Sequence, residues 1–149
     1  MNARAAKPSL YDQDYHAWLA EQAVRLRARR FNALDCEALV EELEDMGRSE
    51  RRTVESHLKN LLLHLLKWSR QARRRSASWR DSIDTARDAI TDLLDESPSL
   101  RGHLAEFVRR QYPRARRSAA TQTGLVEADF PAQCPFRLDE ILDHEFFPT

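Results

Sequence analysis

The sequence predicts an all-α protein: a single-domain bundle of about five helices around a central apolar helix, closed by an irregular C-terminal strap. Three observations support this prediction. Apolar residues recur at helical spacings over most of the chain. Only three glycines occur, which argues against a turn-rich β fold and against glycine-rich phosphate loops. One stretch, residues 53–68, has leucine on most sides, as is typical of a helix inside a bundle.

The chain length suits one domain. A chain of 149 residues can bury ~68–70% of its unfolded surface without disulfides or metals. Residues 1–10 are polar and are predicted to be a disordered arm. Residues 11–149 are predicted to form the helical bundle, in which residues 129–149 are the strap.

Two helices are predicted before the central one. The first has Asp12 as its N-cap and runs to about Arg30. Its proposed inner face is formed by Tyr15, Trp18, Leu19, Gln22 and Leu26. Asp35 then caps a second helix, which Gly47 is expected to end in a left-handed conformation. The apolar stripe of this second helix is formed by Cys36, Leu39, Val40, Leu43 and Met46.

The central helix is predicted to begin at Ser49 and to continue to about Gln71. On a helical projection at ~100° per residue, most of its apolar side chains fall within one arc. They are Val54, Leu58, Leu61, Leu65 and Trp68, with Leu62, Leu63 and Leu66 on the other sides. Such a helix is expected to be the element around which the others pack.

A basic stretch and two further helices follow. Residues 70–80 are predicted to be a loop, with Ser78 capping a fourth helix that has a stripe from Trp79 to Leu94. Ser97 and proline after it open a fifth helix. Pro113 is expected to break or kink that helix, because it removes one backbone donor. A short helix near 138–143 lies within the strap.

Composition narrows the classes of function. The 24 basic and 24 acidic residues cancel, so no global field favours nucleic acid or membrane. Cys36 and Cys134 form no zinc or disulfide pattern, and a reduced cytoplasmic setting is expected. The start of the chain has no signal-peptide run, and nowhere are there ~18 consecutive apolar residues. No cofactor and no membrane association are predicted.

Six motifs, in order, resemble those of one family. They are YDQDYHAW (11–18), LVEELEDMGRSE (39–50), LLLHLLKW (61–68), SASWR (76–80), DESPSL (95–100) and FPAQCP (130–135). This pattern resembles the bacterial family catalogued as Domain of Unknown Function 29 over nearly the whole chain. The resemblance implies a compact all-helical fold and implies no activity, because the family has no established catalytic residues. Pro113 departs from the pattern, since the fifth helix is expected to run on there.

A metal site is one hypothesis. His57 and His64 lie two turns apart on the central helix, and carboxylates are available at Glu41, Glu44 and Glu50. Helical bundles build metal sites from inward-pointing His and Glu. However, seven residues at ~1.5 Å each separate the two imidazoles by ~10.5 Å along the axis, too far to share one ion directly. Histidines hydrogen-bonded at the edge of the core are the alternative.

Nucleic-acid binding is a second hypothesis. The basic stretch includes Arg70, Arg73, Arg74, Arg75 and Arg80, whose planar guanidinium groups suit phosphate. Tryptophans flank the stretch, and an exposed one would stack on a base. Both tryptophans fall on the apolar faces of their helices, so the alternative is that they lie in the core. For the arginines, the alternative is that they pair with acidic residues.

Motifs for nucleophilic catalysis are missing. There is no Gly-x-Ser-x-Gly motif and no cysteine beside a histidine. The sequence therefore favours a non-enzymatic interaction or accessory protein with an unidentified protein partner. Nucleic-acid binding and a metal-dependent enzyme are the alternatives, and the apolar strap is also compatible with a homodimer.

Overall fold

The computed structural model describes residues 8–149 of the chain. It is 79% helical, and these residues form no strand. The prediction of an all-α fold is therefore confirmed. The α-helices of this part of the chain are α1 (Leu10–Gln13), α2 (Tyr15–Arg27), α3 (Cys36–Arg70), α4 (Ala77–Glu96), α5 (Leu104–Thr123) and α6 (Leu138–Leu142). None of these helices is both long and apolar enough to cross a membrane.

The chain divides into two compact units. The N-terminal unit ends at Arg48, and the C-terminal unit comprises Ser49–Thr149. The predicted disordered arm, residues 1–10, lies mostly outside the described residues and stays a prediction there, and Leu10 belongs to α1. The prediction of a single domain stays a prediction.

The N-terminal unit starts with two capped helices rather than one. Ser9 caps α1 in a capping box with Asp12, and Asp14 caps α2 by accepting a hydrogen bond from the Ala17 amide. The predicted cap at Asp12 and the predicted helix end at Arg30 are therefore wrong. α2 stops at Arg27, shortly before Arg29 adopts a left-handed backbone with φ of 56°.

The predicted second and third helices are one continuous helix, α3. Gly47 was expected to end a helix, but its φ is not positive, and it continues the helical backbone. Arg48 pairs with Glu44 at 3.5 Å and with Asp45, so ion pairs one turn apart support the helix at this position. A glycine inside a helix costs only ~1 kcal/mol relative to alanine, which such local interactions offset in part.

The core of the C-terminal unit is built on the second part of α3. Val54 and all leucines from Leu58 to Leu66 are buried, as the periodicity predicted. α4 packs Ile83, Ile90 and Leu94 into the same core. The central apolar helix is therefore confirmed for this unit.

α4 and α5 both begin at other residues than predicted, and for α5 the residues after Ser97 form a 3-10 helix, Pro98–His103, before the α-helix starts at Leu104. Ser76, not Ser78, caps α4, and its hydroxyl accepts from the Trp79 amide. The basic stretch is accordingly not a simple loop, since residues 72–74 form a 3-10 turn and α4 begins at Ala77. α5 runs through Pro113 without a break, because buried Tyr112 and Ala115 hold the helix on both sides of the exposed proline.

The end of α5 and the strap agree with prediction. Gly124 ends α5 in a left-handed conformation with φ of 73°. The following segment packs Phe130 and Ile141 into the core, and α6 lies within it. The strap is therefore an integral part of the C-terminal unit.

Candidate functional site

The N-terminal unit buries few apolar side chains. Of the 23 buried hydrophobic residues in the described chain, 21 form the core of the C-terminal unit, which leaves Trp18 and Ala38. By contrast, nine of the eleven exposed large hydrophobic side chains in residues 8–149 precede Ser49. They are Leu10, Tyr15, Leu19, Val24, Leu26, Phe31, Val40, Leu43 and Met46. This unit presents apolar surface that its own helices do not cover.

Three of these side chains form a row on α3, which we call the apolar stripe. Val40, Leu43 and Met46 follow one another at three-residue steps, so they lie on one side of the helix. Their exposed fractions are 52%, 67% and 68%. The sequence predicted this row as a packing face. The structure leaves it on the surface.

A different side of α3 contacts α1 and α2. Ala38 is buried, and Glu42 accepts hydrogen bonds at 2.5 Å from the hydroxyls of Tyr11 and Tyr15. The bond to Glu42, together with desolvation, raises the pKa of Tyr11 to about 12. At ~100° per residue, this side is roughly 120° around the helix from the apolar stripe. The polar contacts therefore orient α3 so that the stripe points away from its own unit.

The start of α3 is fixed by a second polar contact. Asp35 accepts a hydrogen bond at 3.3 Å from the indole of buried Trp18. Its own amide donates to Gln22 Oε1 at 2.8 Å. Trp18 also packs edge-on against the Tyr11 ring, with centroids 4.7 Å apart. These contacts hold the helix that presents the apolar stripe.

Acidic side chains border the apolar stripe. They are Glu37, Glu41, Glu42, Glu44 and Asp45, and no basic residue occurs between Cys36 and Gly47. Arg48 neutralises part of this charge at the end of the segment by pairing with Glu44 and Asp45. The stripe is thus an apolar row inside an acidic surface.

The basic stretch of the C-terminal unit separates into two groups. Arg75 donates to the Trp68 and Pro148 carbonyl oxygens at 2.9 and 3.3 Å. Arg80 lies over the Phe147 ring at 4.6 Å. In contrast, Arg70, Arg73 and Arg74 are exposed and make no side-chain hydrogen bond or ion pair within residues 8–149. Within the basic stretch of the described chain, these are the three arginines available to an anion.

The two tryptophans beside this stretch are both occupied. Trp68 is half-buried and packs against the Phe147 ring with centroids 5.0 Å apart. The Lys67 ammonium lies over the Trp79 ring, 4.4 Å from its centroid, and so covers a face of that indole. Burial lowers the pKa of Lys67, whose Nζ also donates to Gln122 at 3.0 Å. Neither indole is a free stacking platform for a base.

Arg70 lines two cavities. One has a volume of about 410 Å³ and lies between the end of α3 and the strap, where Phe136, Phe146 and Phe147 contribute to its wall. The other, of about 360 Å³, is bordered by Arg70, Gln71, Ala72, Arg73 and Arg74. Arg70 is therefore common to the lining of an aromatic cavity and of a basic one.

The predicted metal ligands are distributed over both units. Glu41 and Glu44 are exposed residues of the N-terminal unit, whereas Glu50 accepts a 2.6 Å hydrogen bond from Ser97 in the C-terminal unit. His64 Nδ1 lies 2.8 Å from the Asn60 carbonyl oxygen, and burial lowers the pKa of this histidine. No three His, Cys, Asp or Glu residues within 8–149 are grouped to hold a metal ion. The metal site, including its candidate His57, stays a prediction.

Comparison with known proteins assigns the family. A family model described as Domain of unknown function DUF29 matches residues 10–147, which is nearly the whole chain. The chain belongs to the DUF29 family. Neither the curated proteins nor the solved structures include a significant match. The DUF29 assignment confirms the predicted resemblance and names no activity.

Sequence reasoning missed one central side chain of this DUF29 chain. Arg87 is fully buried and donates from Nε to the Ile141 carbonyl oxygen at 2.8 Å. Its Nη2 donates to the Phe146 and Glu140 carbonyl oxygens at 2.8 and 3.3 Å. The sequence signal was its spacing. Arg87 follows Ile83 by four residues and so lies in the middle of the apolar face of α4.

Proposed function

We propose that this DUF29 chain is a non-enzymatic interaction protein, and that its N-terminal unit binds an amphipathic, basic helix of a partner protein. The observation that supports this proposal is the exposed apolar stripe of Val40, Leu43 and Met46 in a unit with only two buried hydrophobic residues within the described chain. Apolar patches of this kind mark binding surfaces in folded proteins. The stripe therefore serves as the docking face.

The spacing of the stripe suits a helical ligand. Side chains at three-residue steps along one helix face meet the i, i+3, i+4 positions of a second helix. Fully burying each side chain contributes ~1.5–3 kcal/mol of transfer free energy, from which the cost of association is subtracted. Three such residues support a specific but modest affinity.

The surrounding charge selects the kind of partner. The segment from Cys36 to Gly47 has five acidic residues and no basic one. A second copy of this helix would bring like charges together across the interface, which disfavours the predicted homodimer through this face. Lysine and arginine on the flanks of a partner helix would instead pair with the acidic border.

A defined peptide tests this proposal. The probe is a fluorescent amphipathic helix with leucine on one face and lysine on the flanks, and its binding is followed by fluorescence anisotropy. We expect binding by the native chain, and a loss of about tenfold or more in the Leu43→Asp, Met46→Asp double variant. Val126→Asp is the matched control, because Val126 is 64% exposed but lies in the C-terminal unit.

Two results would count against the proposal. Equal binding by the double variant and the Val126→Asp control would show that the stripe is not the docking face. Equal binding of a peptide with glutamate in place of lysine would remove the argument from charge. Sedimentation of the native chain, run in parallel, decides between a partner helix and a second copy.

Nucleic-acid binding is a second candidate function. It is supported by Arg70, Arg73 and Arg74, which are exposed and unpaired within residues 8–149. Each arginine that neutralises a phosphate adds about −0.9 to the slope of log affinity against log salt on duplex DNA. We expect the Arg73→Gln, Arg74→Gln variant to reduce the slope by about 2, and the exposed Arg114→Gln control to leave it unchanged. An equal slope in all three proteins would contradict this candidate.

A further inference from the structure

We infer that Arg70 joins its two cavities into one binding site for a ligand with a phosphate group and a flat aromatic ring, which is the chemistry of a nucleotide. The inference rests on the second candidate function, because both use the same arginines, and it adds a cavity for the base. The site lies at the end of α3, in the C-terminal unit. It is independent of the apolar stripe in the other unit.

The aromatic cavity provides the place for the ring. Its volume of about 410 Å³ lies within the range of small-molecule sites, ~300–1,000 Å³. Phe136, Phe146 and Phe147 contribute to its wall together with Pro131, Pro135 and Pro148. The Phe136 ring and the proline rings offer flat, apolar surfaces against which any base can stack, whereas the Phe147 ring is already packed against Trp68 and Arg80.

The wall of this cavity is held in place by cations. The Phe147 ring lies 4.6 Å from the Arg80 guanidinium carbon and 5.4 Å from that of Arg87. The Trp68 ring packs against it, and Arg75 donates to the carbonyl oxygen of the next residue, Pro148. A fixed wall lowers the entropic cost of binding a ring. These four side chains therefore position the cavity, whereas other residues contact the ligand.

The basic cavity provides the place for the phosphate. Arg70, Arg73 and Arg74 border about 360 Å³ of space, and they form no ion pair within residues 8–149. A planar guanidinium donates two parallel hydrogen bonds to a phosphate, which makes arginine suited to this anion. Arg70 lines both cavities, so it would contact the phosphate while the ring occupies the aromatic side.

One acidic residue lines the aromatic cavity, but it is engaged elsewhere. Glu140 Oε2 accepts a hydrogen bond from the Arg137 amide at 2.8 Å and completes the cap of α6. It forms no ion pair with Arg70. The guanidinium donors of Arg70 are thus not occupied by Glu140, and the anionic ligand they would bind is either a free nucleotide or an unpaired nucleotide of a single strand.

Calorimetry with four probes tests the inference. The probes are adenosine monophosphate, adenosine, inorganic phosphate and a short single-stranded oligonucleotide, each titrated into the full chain. We expect adenosine monophosphate to bind at least about tenfold more tightly than adenosine or phosphate alone. Equal affinity for phosphate and the nucleotide would show a simple anion site and overturn the inference.

Variants locate the site. We expect Arg70→Gln and Phe136→Leu each to weaken nucleotide binding about tenfold, while Arg114→Gln binds as the native chain does. Circular dichroism confirms that each variant is folded, and Phe136→Leu keeps an apolar side chain at a half-buried position. Unchanged nucleotide binding in folded Arg70→Gln would overturn the inference.

The oligonucleotide separates this inference from the function on which it rests. Binding of the strand through Arg73 and Arg74, without binding of the mononucleotide, would support the second candidate function and overturn the base cavity. Binding of the mononucleotide without the strand would support the base cavity and assign it a free nucleotide. Binding of both, weakened by Arg70→Gln, would assign it a nucleotide within a strand.

Discussion

The buried guanidinium of Arg87 in α4 donates to the carbonyl oxygen of Ile141 at the end of α6, over a distance of 2.8 Å. Helix ends leave backbone carbonyl groups without intrahelical partners, and a cation there also interacts favourably with the helix dipole. Arg87 supplies such a cation from inside the core. It thereby attaches the strap to the rest of the C-terminal unit.

Replacing this arginine should destabilise the unit strongly. In Arg87→Met the strap carbonyls lose three hydrogen bonds to a charged donor, and we expect the free energy of unfolding to fall by about 3 kcal/mol. Denaturant titration measures this change. Arg80→Met is the control, because Arg80 is exposed, forms a surface ion pair with Asp84 at 3.9 Å and contacts the strap through the face of Phe147; its loss should cost about 0.5–1 kcal/mol. Equal effects would contradict the role assigned to Arg87.

The two parts of α3 should respond differently to the same substitution. Leu62 is fully buried, so Leu62→Ala removes core packing and should lower the free energy of unfolding by about 2–5 kcal/mol. Leu43 is 67% exposed, so Leu43→Ala should change the free energy of unfolding by less than about 0.5 kcal/mol. Denaturant titration of the two variants, side by side, makes the comparison. A large loss in Leu43→Ala would mean that the stripe is already covered.

Glycine replacements test the continuity of α3. Gly47 lies inside the helix and a Cβ there would meet no atom within 4 Å, so Gly47→Ala should raise the free energy of unfolding by about 0.5–1 kcal/mol. Gly124 has a φ of 73°, which alanine adopts only with strain. Gly124→Ala should therefore lower the free energy of unfolding by about 1 kcal/mol. Thermal unfolding distinguishes the signs. Destabilisation by Gly47→Ala would indicate that a helix ends there after all.

His64 should make stability depend on pH. Burial lowers the pKa of this imidazole in the folded chain, and the charge of Lys67 adds to the effect. As the pH falls, His64 is therefore protonated at a higher pH in the unfolded chain than in the folded chain. The neutral imidazole of His64 contributes its full share of stability above pH ~6.5, and this share is lost as the pH falls through the lowered pKa.

The corresponding measurement compares three proteins between pH 7 and pH 5. We expect His64→Gln to lose less stability than the native chain as the pH falls. The exposed His16→Gln variant, on α2, should follow the native chain. Parallel curves for His64→Gln and the native chain would contradict the assigned pKa shift.

Much of the fold could be predicted from periodicity. The leucines of residues 58–66 lie on most sides of the helix, so their burial follows from the hydrophobic effect. Gly124 and the short helix in the strap follow from local chain chemistry. Gly47 misled the prediction, because a glycine in a sequence is compatible with both a helix end and a helix interior, and tertiary and ionic contacts decide between them.

The candidate sites were less predictable. Periodicity shows that Val40, Leu43 and Met46 share a face, but not which face contacts α2. That choice depends on long-range hydrogen bonds between Glu42 and two tyrosines about thirty residues earlier in the chain. Likewise, the sequence grouped five arginines, and only the fold shows that two of them bind carbonyl groups or aromatic rings.

Photo-crosslinking in cells tests the proposed docking face most directly. A photoreactive amino acid replaces Leu43 in one protein and Val126 in a control, and the crosslinked products are identified by mass spectrometry. The proposal predicts a crosslink from position 43, and not from 126, to a segment of another protein that is an amphipathic helix with basic flanks. Crosslinks from position 43 only to a second copy of this chain, or the same products from both positions, would contradict it.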